Sequence, residues 1–144
     1  MKLRKLFAFL SAAVLGCCTL GGTAFAEETE PVDLSQYQMG DITMDGQVDL
    51  DDAQLALRTY VFMLAQKDVK ECLGVTEEQI KLADVIRYST EKNSHLDAAD
   101  AHVILEYYTD QLSGKYTVES ITEYIQVRVA NKTYTSKLIA NDWR

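Results

Sequence analysis

Apolar residues recur with helical period in two stretches of the chain, and each stretch follows a run of acidic residues. From Ala53 they fall at Ala53, Ala56, Leu57, Tyr60, Val61 and Leu64, one stripe of an amphipathic helix. The second stripe runs through Ala101, Ile104, Leu105 and Tyr108, and Gly114 is placed to end its helix. Aligned on these stripes, Val48-Asp49-Leu50-Asp51-Asp52-Ala53 matches Leu96-Asp97-Ala98-Ala99-Asp100-Ala101 at a constant offset of 48 residues. A duplicated loop-and-helix unit predicts one small domain made of two copies. Between the copies, Gly74 is a stop and Thr76-Glu77-Glu78-Gln79 is a capping box for a short helix ending near Leu82.

The ends differ in character. Residues 27–38 are acidic, carry the only proline and lack periodicity, which reads as a flexible lead-in. Residues 124–129 and 133–139 hold β-branched residues in partial alternation around Ala130-Asn131-Lys132, so a hairpin is expected there. A helix over 118–127 is the competing reading. Residues 1–26 have the layout of a signal peptide: basic Lys2, Arg4 and Lys5, an apolar run over 6–20, then Ala24-Phe25-Ala26 before Glu27. The run is too short for a comfortable membrane span. Val14-Leu15-Gly16-Cys17 offers a rival, lipid-anchoring reading, which the Ala-x-Ala site outmatches. The expected product is exported and extracellular, with 39–113 as its domain and 114–144 as a C-terminal extension.

Charge narrows the partners. The chain carries 14 Lys+Arg and 22 Asp+Glu, a net −8; losing the three basic residues of 1–26 leaves 11 against 22, near −11. That balance argues against nucleic acid, which demands a basic face, and suits cation binding. Of three cysteines, Cys17 and Cys18 fall in the leader, so Cys72 stands alone and no internal disulfide is possible. A small exported domain without disulfides needs another staple, and metal is the obvious one.

The first acidic run spaces its oxygens as a calcium loop does. With Asp41 at position 1, Thr43 sits at 3, Asp45 at 5, Gly46 at 6, Gln47 at 7, Asp49 at 9 and Asp52 at 12. Calcium takes six to eight oxygens, and a chain wraps it by turning alternate side chains inward. Gly46 permits the sharp turn, Gln47 offers its backbone carbonyl, and Val48 points to the core. Thr43 for a carboxylate and Asp for Glu at position 12 depart from the general EF-hand pattern. In the second loop Asp97 and Asp100 take positions 9 and 12, with Glu91, Asn93 and His95 (by its carbonyl) at 3, 5 and 7. Its position 1 is either Ser89 or, with five inserted residues, Asp84; Ala83-Asp84-Val85 resembles Gly40-Asp41-Ile42 and favours the insertion. Two Ca2+ sites are expected, the second weaker.

Together these residues resemble a dockerin, the calcium-dependent module that plugs secreted proteins into cohesin modules of a cellulosome scaffold. The likeness covers about 39–112 and rests on the Gly40-Asp41 opening, Asp at position 12, a helix after each loop with none before the first, and duplication. It implies a mainly α fold in which two calcium loop-helix (F-hand) repeats pack antiparallel around a short connecting helix. It also implies a cohesin partner, contacted through loop positions 10 and 11 and the outer helix faces: Leu50, Asp51, Leu55, Arg58 and Phe62 on the first copy, Ala98, Ala99, Val103 and Glu106 on the second. Leu55 and Phe62 are hard to explain as plain solvated surface, unless they pack on the connector or tail. The two faces differ in charge, which predicts docking through the first helix and a monomer before docking.

No reaction centre is visible. His95 lies in a loop, His102 on a helix exterior, and Cys72 has no motif around it, so a buried, inert thiol is expected. The carboxylates cluster where calcium would neutralise them, and nothing resembles a nucleophile motif. A non-catalytic adaptor is the leading expectation; an extracellular calcium buffer or sensor is the alternative.

Overall fold

The computed structural model describes residues 32–88, 95–134 and 138–140, with backbone alone at 88, 138 and 139. These residues are mainly helical: α1 Leu50–Leu64, α2 Val69–Leu73, α3 Glu77–Ala83, α4 Ala98–Leu112 and α5 Ile121–Ala130. Two short strands, β1 Ile86–Tyr88 and β2 Leu138–Ala140, complete them, with a 3-10 turn at Leu34–Gln36. Residues 1–31 and 89–94 lie outside the described set, and with them the expected signal peptide, Cys17, Ser89, Glu91 and Asn93.

The two long helices begin identically. Asp49 caps α1 and Asp97 caps α4, and in each the third helical residue, Asp52 or Asp100, returns a bond to the cap's backbone. Each such cap is worth about 1 kcal/mol. Thr76 and Gln79 form the expected capping box of α3. That helix then fastens the first loop: Gln79 Nε2 donates to the Ile42 carbonyl, and the Gly40 N–H donates to the Leu82 carbonyl, both at 2.7 Å. α2 has no clear periodic signal; Asp68 starts it and Gly74, at φ 72°, ends it.

α1 and α4 form the most extensive helix pairing; the expected stripe is buried at Ala53, Ala56, Ala101 and Ile104 but not along its whole width. Leu57, Val61, Leu64 and Leu105 are exposed. The inward positions are Asp52, Ala56 and Thr59 on α1 and Asp100, Ile104 and Tyr107 on α4, each pair 48 residues apart. Burying the acidic residue in the first turn sets each helix's rotation, and the residues four and seven further on follow it inward. Leu55 and Phe62, expected on the outside, are half-buried, and Leu55 packs against the core. Cys72, expected inside, is exposed.

The C-terminal hairpin does not form as expected. Residues 124–129 lie within α5, which Ser120 caps, and Leu138–Ala140 pairs antiparallel with β1, Ile86 facing Ala140. Buried side chains decide this: Ile121, Tyr124, Ile125 and Arg128 recur at three- and four-residue spacing and reach one face only as a helix. Ile121, Tyr124 and Ile125 belong to the same core as α1 and α4, so that core runs past the division drawn at residue 113. Leu34 and Tyr37 of the lead-in also pack against it.

Candidate functional site: two acidic loops

Each loop ends in a buried carboxylate at the head of a long helix. In the first, Asp41 and Asp52 are both fully buried. Asp41 accepts the N–H groups of Asp45 at 3.1 Å and Gly46 at 2.9 Å. Asp52 accepts the N–H of Thr43 at 2.9 Å on one oxygen and that of Asp49 at 2.8 Å on the other. Asp45 accepts the N–H of Gln47 and Asp49 that of Asp51. Thr43 Oγ1 is buried beside Asp52 and makes no hydrogen bond of ordinary geometry.

The second loop repeats the pattern. Asp100 accepts the N–H groups of Val85 at 2.9 Å and Ile86 at 3.0 Å on one oxygen, and that of Asp97 at 2.8 Å on the other. Asp97 accepts from Ala99 as Asp49 does from Asp51. Asp84 is 2% exposed, buried as Asp41 is, while Ser89, the other candidate for the opening position, lies outside the described residues. Asp41 and Asp52 are 11 residues apart, Asp84 and Asp100 are 16, and the difference of five is the insertion. β1 opens that insertion and is bonded to β2. His95 is exposed.

Burial pushes the Asp41 carboxyl above its usual range, helped by Asp45, and pushes Asp52 up with help from Asp41. Asp100 is driven furthest, to about 7, by burial and then by Asp84 and Asp97. Among the described residues no Lys, Arg or His pairs with Asp41, Asp52 or Asp100. Among the same residues, no three His, Cys, Asp or Glu side chains converge into a ready metal cage. The side chains gathered in the first loop, the Asp41 and Asp52 carboxylates with the Thr43 hydroxyl beside Asp52, are oxygen donors of the kind a hard cation takes.

The expected partner-contact residues separate. Leu50, Asp51, Arg58 and Ala98 are exposed, while Leu55, Phe62 and Ala99 are half-buried. Val103 is buried at 3% exposure, and Glu106 is engaged by Arg128 and Tyr134, so neither offers open surface. Exposed Leu57, Val61 and Leu64, which the sequence assigned to the core, extend the open face of α1 instead. Leu50, Ala53, Gln54 and Leu57 line an open groove with Ala98, Ala101, His102 and Leu105, their counterparts 48 residues on. At about 230 Å³ it is smaller and shallower than a small-molecule pocket. Among the described residues no helix is long and apolar enough to cross a membrane. No protein-family model matches the chain, and no curated protein matches it closely enough to suggest a relative.

Proposed function

We propose that this protein is an exported, non-catalytic docking module that folds around calcium and then binds a cohesin module of a cellulosome-type scaffold. The observation that carries the reading is the pair of equivalent buried carboxylates, Asp52 and Asp100, which head the two long helices with no cationic side chain to balance them among the described residues. A buried anion held by N–H groups alone is costly, and a divalent cation removes that cost. Asp41, Thr43, Asp45, Asp49 and Asp52, with the Gln47 carbonyl, would hold the first ion. Asp84, Asp97 and Asp100, with Glu91, Asn93 and the His95 carbonyl, would hold the second.

Calcium supplies positive charge that offsets these carboxylates, and so couples loop order to helix position. Support for docking comes from α1, where exposed Leu50, Leu57 and Val61 form a row beside exposed Asp51 and Arg58. Apolar side chains grouped around an arginine suit the centre of a protein interface. This face replaces the one built on Leu55 and Phe62.

The test is capture by the tagged chain, made in its own host, from that host's extracellular and cell-surface proteins, with calcium and again with a chelator. A cohesin-bearing scaffold recovered only with calcium supports the reading. Calcium-dependent ordering without any captured partner would replace it with the buffer or sensor.

A further inference from the structure

The two repeats place different residues at equivalent positions of their long helices. Asp51, Leu55, Arg58 and Phe62 of α1 correspond, 48 residues on, to Ala99, Val103, Glu106 and Asp110 of α4. On α1, Asp51 and Arg58 are exposed, and Arg58 forms no ion pair with a described residue. On α4, Glu106 and Asp110 are engaged by the chain itself.

Arg128 of α5 is the centre of that cover and is 6% exposed. One guanidinium nitrogen donates to Asp110 at 3.1 Å and to the Tyr124 hydroxyl at 2.6 Å; the other reaches Glu106 at 3.4 Å. The guanidinium lies 4.5 Å from the Tyr134 ring centre and 5.4 Å from that of Tyr124. The Tyr124 hydroxyl donates to Asp110 at 2.7 Å, and the Tyr134 hydroxyl donates to Glu106. Lower down, Gln111 Nε2 holds the Val118 carbonyl at 2.7 Å. Bonds from a guanidinium to carboxylates are the stronger kind, and the neighbouring aromatic rings add to them.

Charge selects which repeat is covered. Placed against α1, Arg128 would meet Arg58 and Phe62 where α4 offers Glu106 and Asp110. A like charge and a ring give no ion pair, so the cap fits one repeat only.

We propose that α5 and Tyr134 form an intramolecular cap over Glu106 and Asp110 of the second repeat, so that a partner docks on the Asp51–Arg58 face of α1 and in one orientation. This rests on the docking reading above. A partner approaching α4 would have to displace Arg128, leaving a guanidinium and two carboxylates without their counter-charges.

Two measurements test it. In a Cys72→Ser background, Leu55→Cys and Val103→Cys, at equivalent positions, are compared for their rate of reaction with a soluble thiol reagent. Val103→Cys is expected to react at least tenfold more slowly; equal rates would show the second face open and overturn the cap. In the capture experiment, Leu57→Asp with Arg58→Glu is expected to lower recovery of the scaffold at least tenfold. Capture that survives this double change would show a second docking face and overturn the proposal. Failure of the unaltered chain to capture anything would instead sink the docking reading itself.

Discussion

Asp52 and Asp100 stand in the same place in their two loops, each buried, each taking the N–H of its own helix cap on one oxygen and N–H groups of the loop opening on the other. Neither has a cationic side chain as counterweight among the described residues. Folding without metal therefore works against ionised carboxylates, and the protein's response to pH should reveal it.

The Asp100 carboxyl rises from 3.8 to about 7 in the fold, and Asp41 and Asp52 move the same way. A raised acid holds its proton more tightly in the folded state. Its contribution to stability is fully present below about 4 and is lost as pH rises through 7. In chelator, the melting temperature is expected to be higher at pH 5 than at pH 8. With excess calcium the order should reverse, because protons then compete with the ion. Thermal unfolding followed by circular dichroism at both pH values, with and without calcium, decides the matter.

Thr43 is the neutral member of the first loop's donor set, and its buried hydroxyl has no hydrogen-bond partner of ordinary geometry. Thr43→Asp adds a third negative charge beside Asp41 and Asp52. Calcium affinity by isothermal titration should rise about tenfold, since ligand charge tunes such sites. The metal-free protein should lose stability in parallel. Asp52→Asn should remove the first ion's heat signal, and a titration identical to wild type would exclude this loop as a calcium site.

Arg128 joins α5 to α4 through Asp110, Glu106 and two tyrosine rings. Replacing it with alanine leaves partly buried carboxylates without their partner and opens space between the rings. A loss of about 3 kcal/mol is expected, from the cost of breaking a buried ion pair. Arg128→Lys should recover less than half of this, because an ammonium cannot bond both carboxylates in plane. Urea denaturation in excess calcium measures both.

Gly46 sits at φ +92° with open space where a side chain would go. Gly46→Ala should therefore cost only the backbone conformation, about 1–2 kcal/mol. It should also weaken calcium, because the turn aims the N–H of Gly46 at Asp41. An unchanged melting temperature would mean that the loop does not need this turn.

Local chemistry was the readable part of the sequence. The 48-residue repeat, the Thr76 box and the two long helices are written in adjacent residues, and the structure has them. Helix rotation was not readable, because Leu57 and Val61 look like core until Asp52 is known to be buried. Nor was α5. Tyr124, Val127 and Val129 suit a strand as well as a helix, and the deciding contacts, to Asp110 and Glu106, come from an element elsewhere in the chain. The dual use of Asp49 and Asp52 as a capping box was legible in principle, once aspartate is allowed at the third helical position.

The pairing of Ile86 with Ala140 gives the two loops unequal mechanical standing. The same Ile86 N–H bonds to Asp100, so a pull on the chain beyond Ala140 is carried by β1 into the second loop. The first loop is fastened by α3 at Gly40 and Ile42 and lies off that line of force. Tension or trimming at the C-terminal side should loosen the second loop first, while the first loop and the open face of α1 keep their shape.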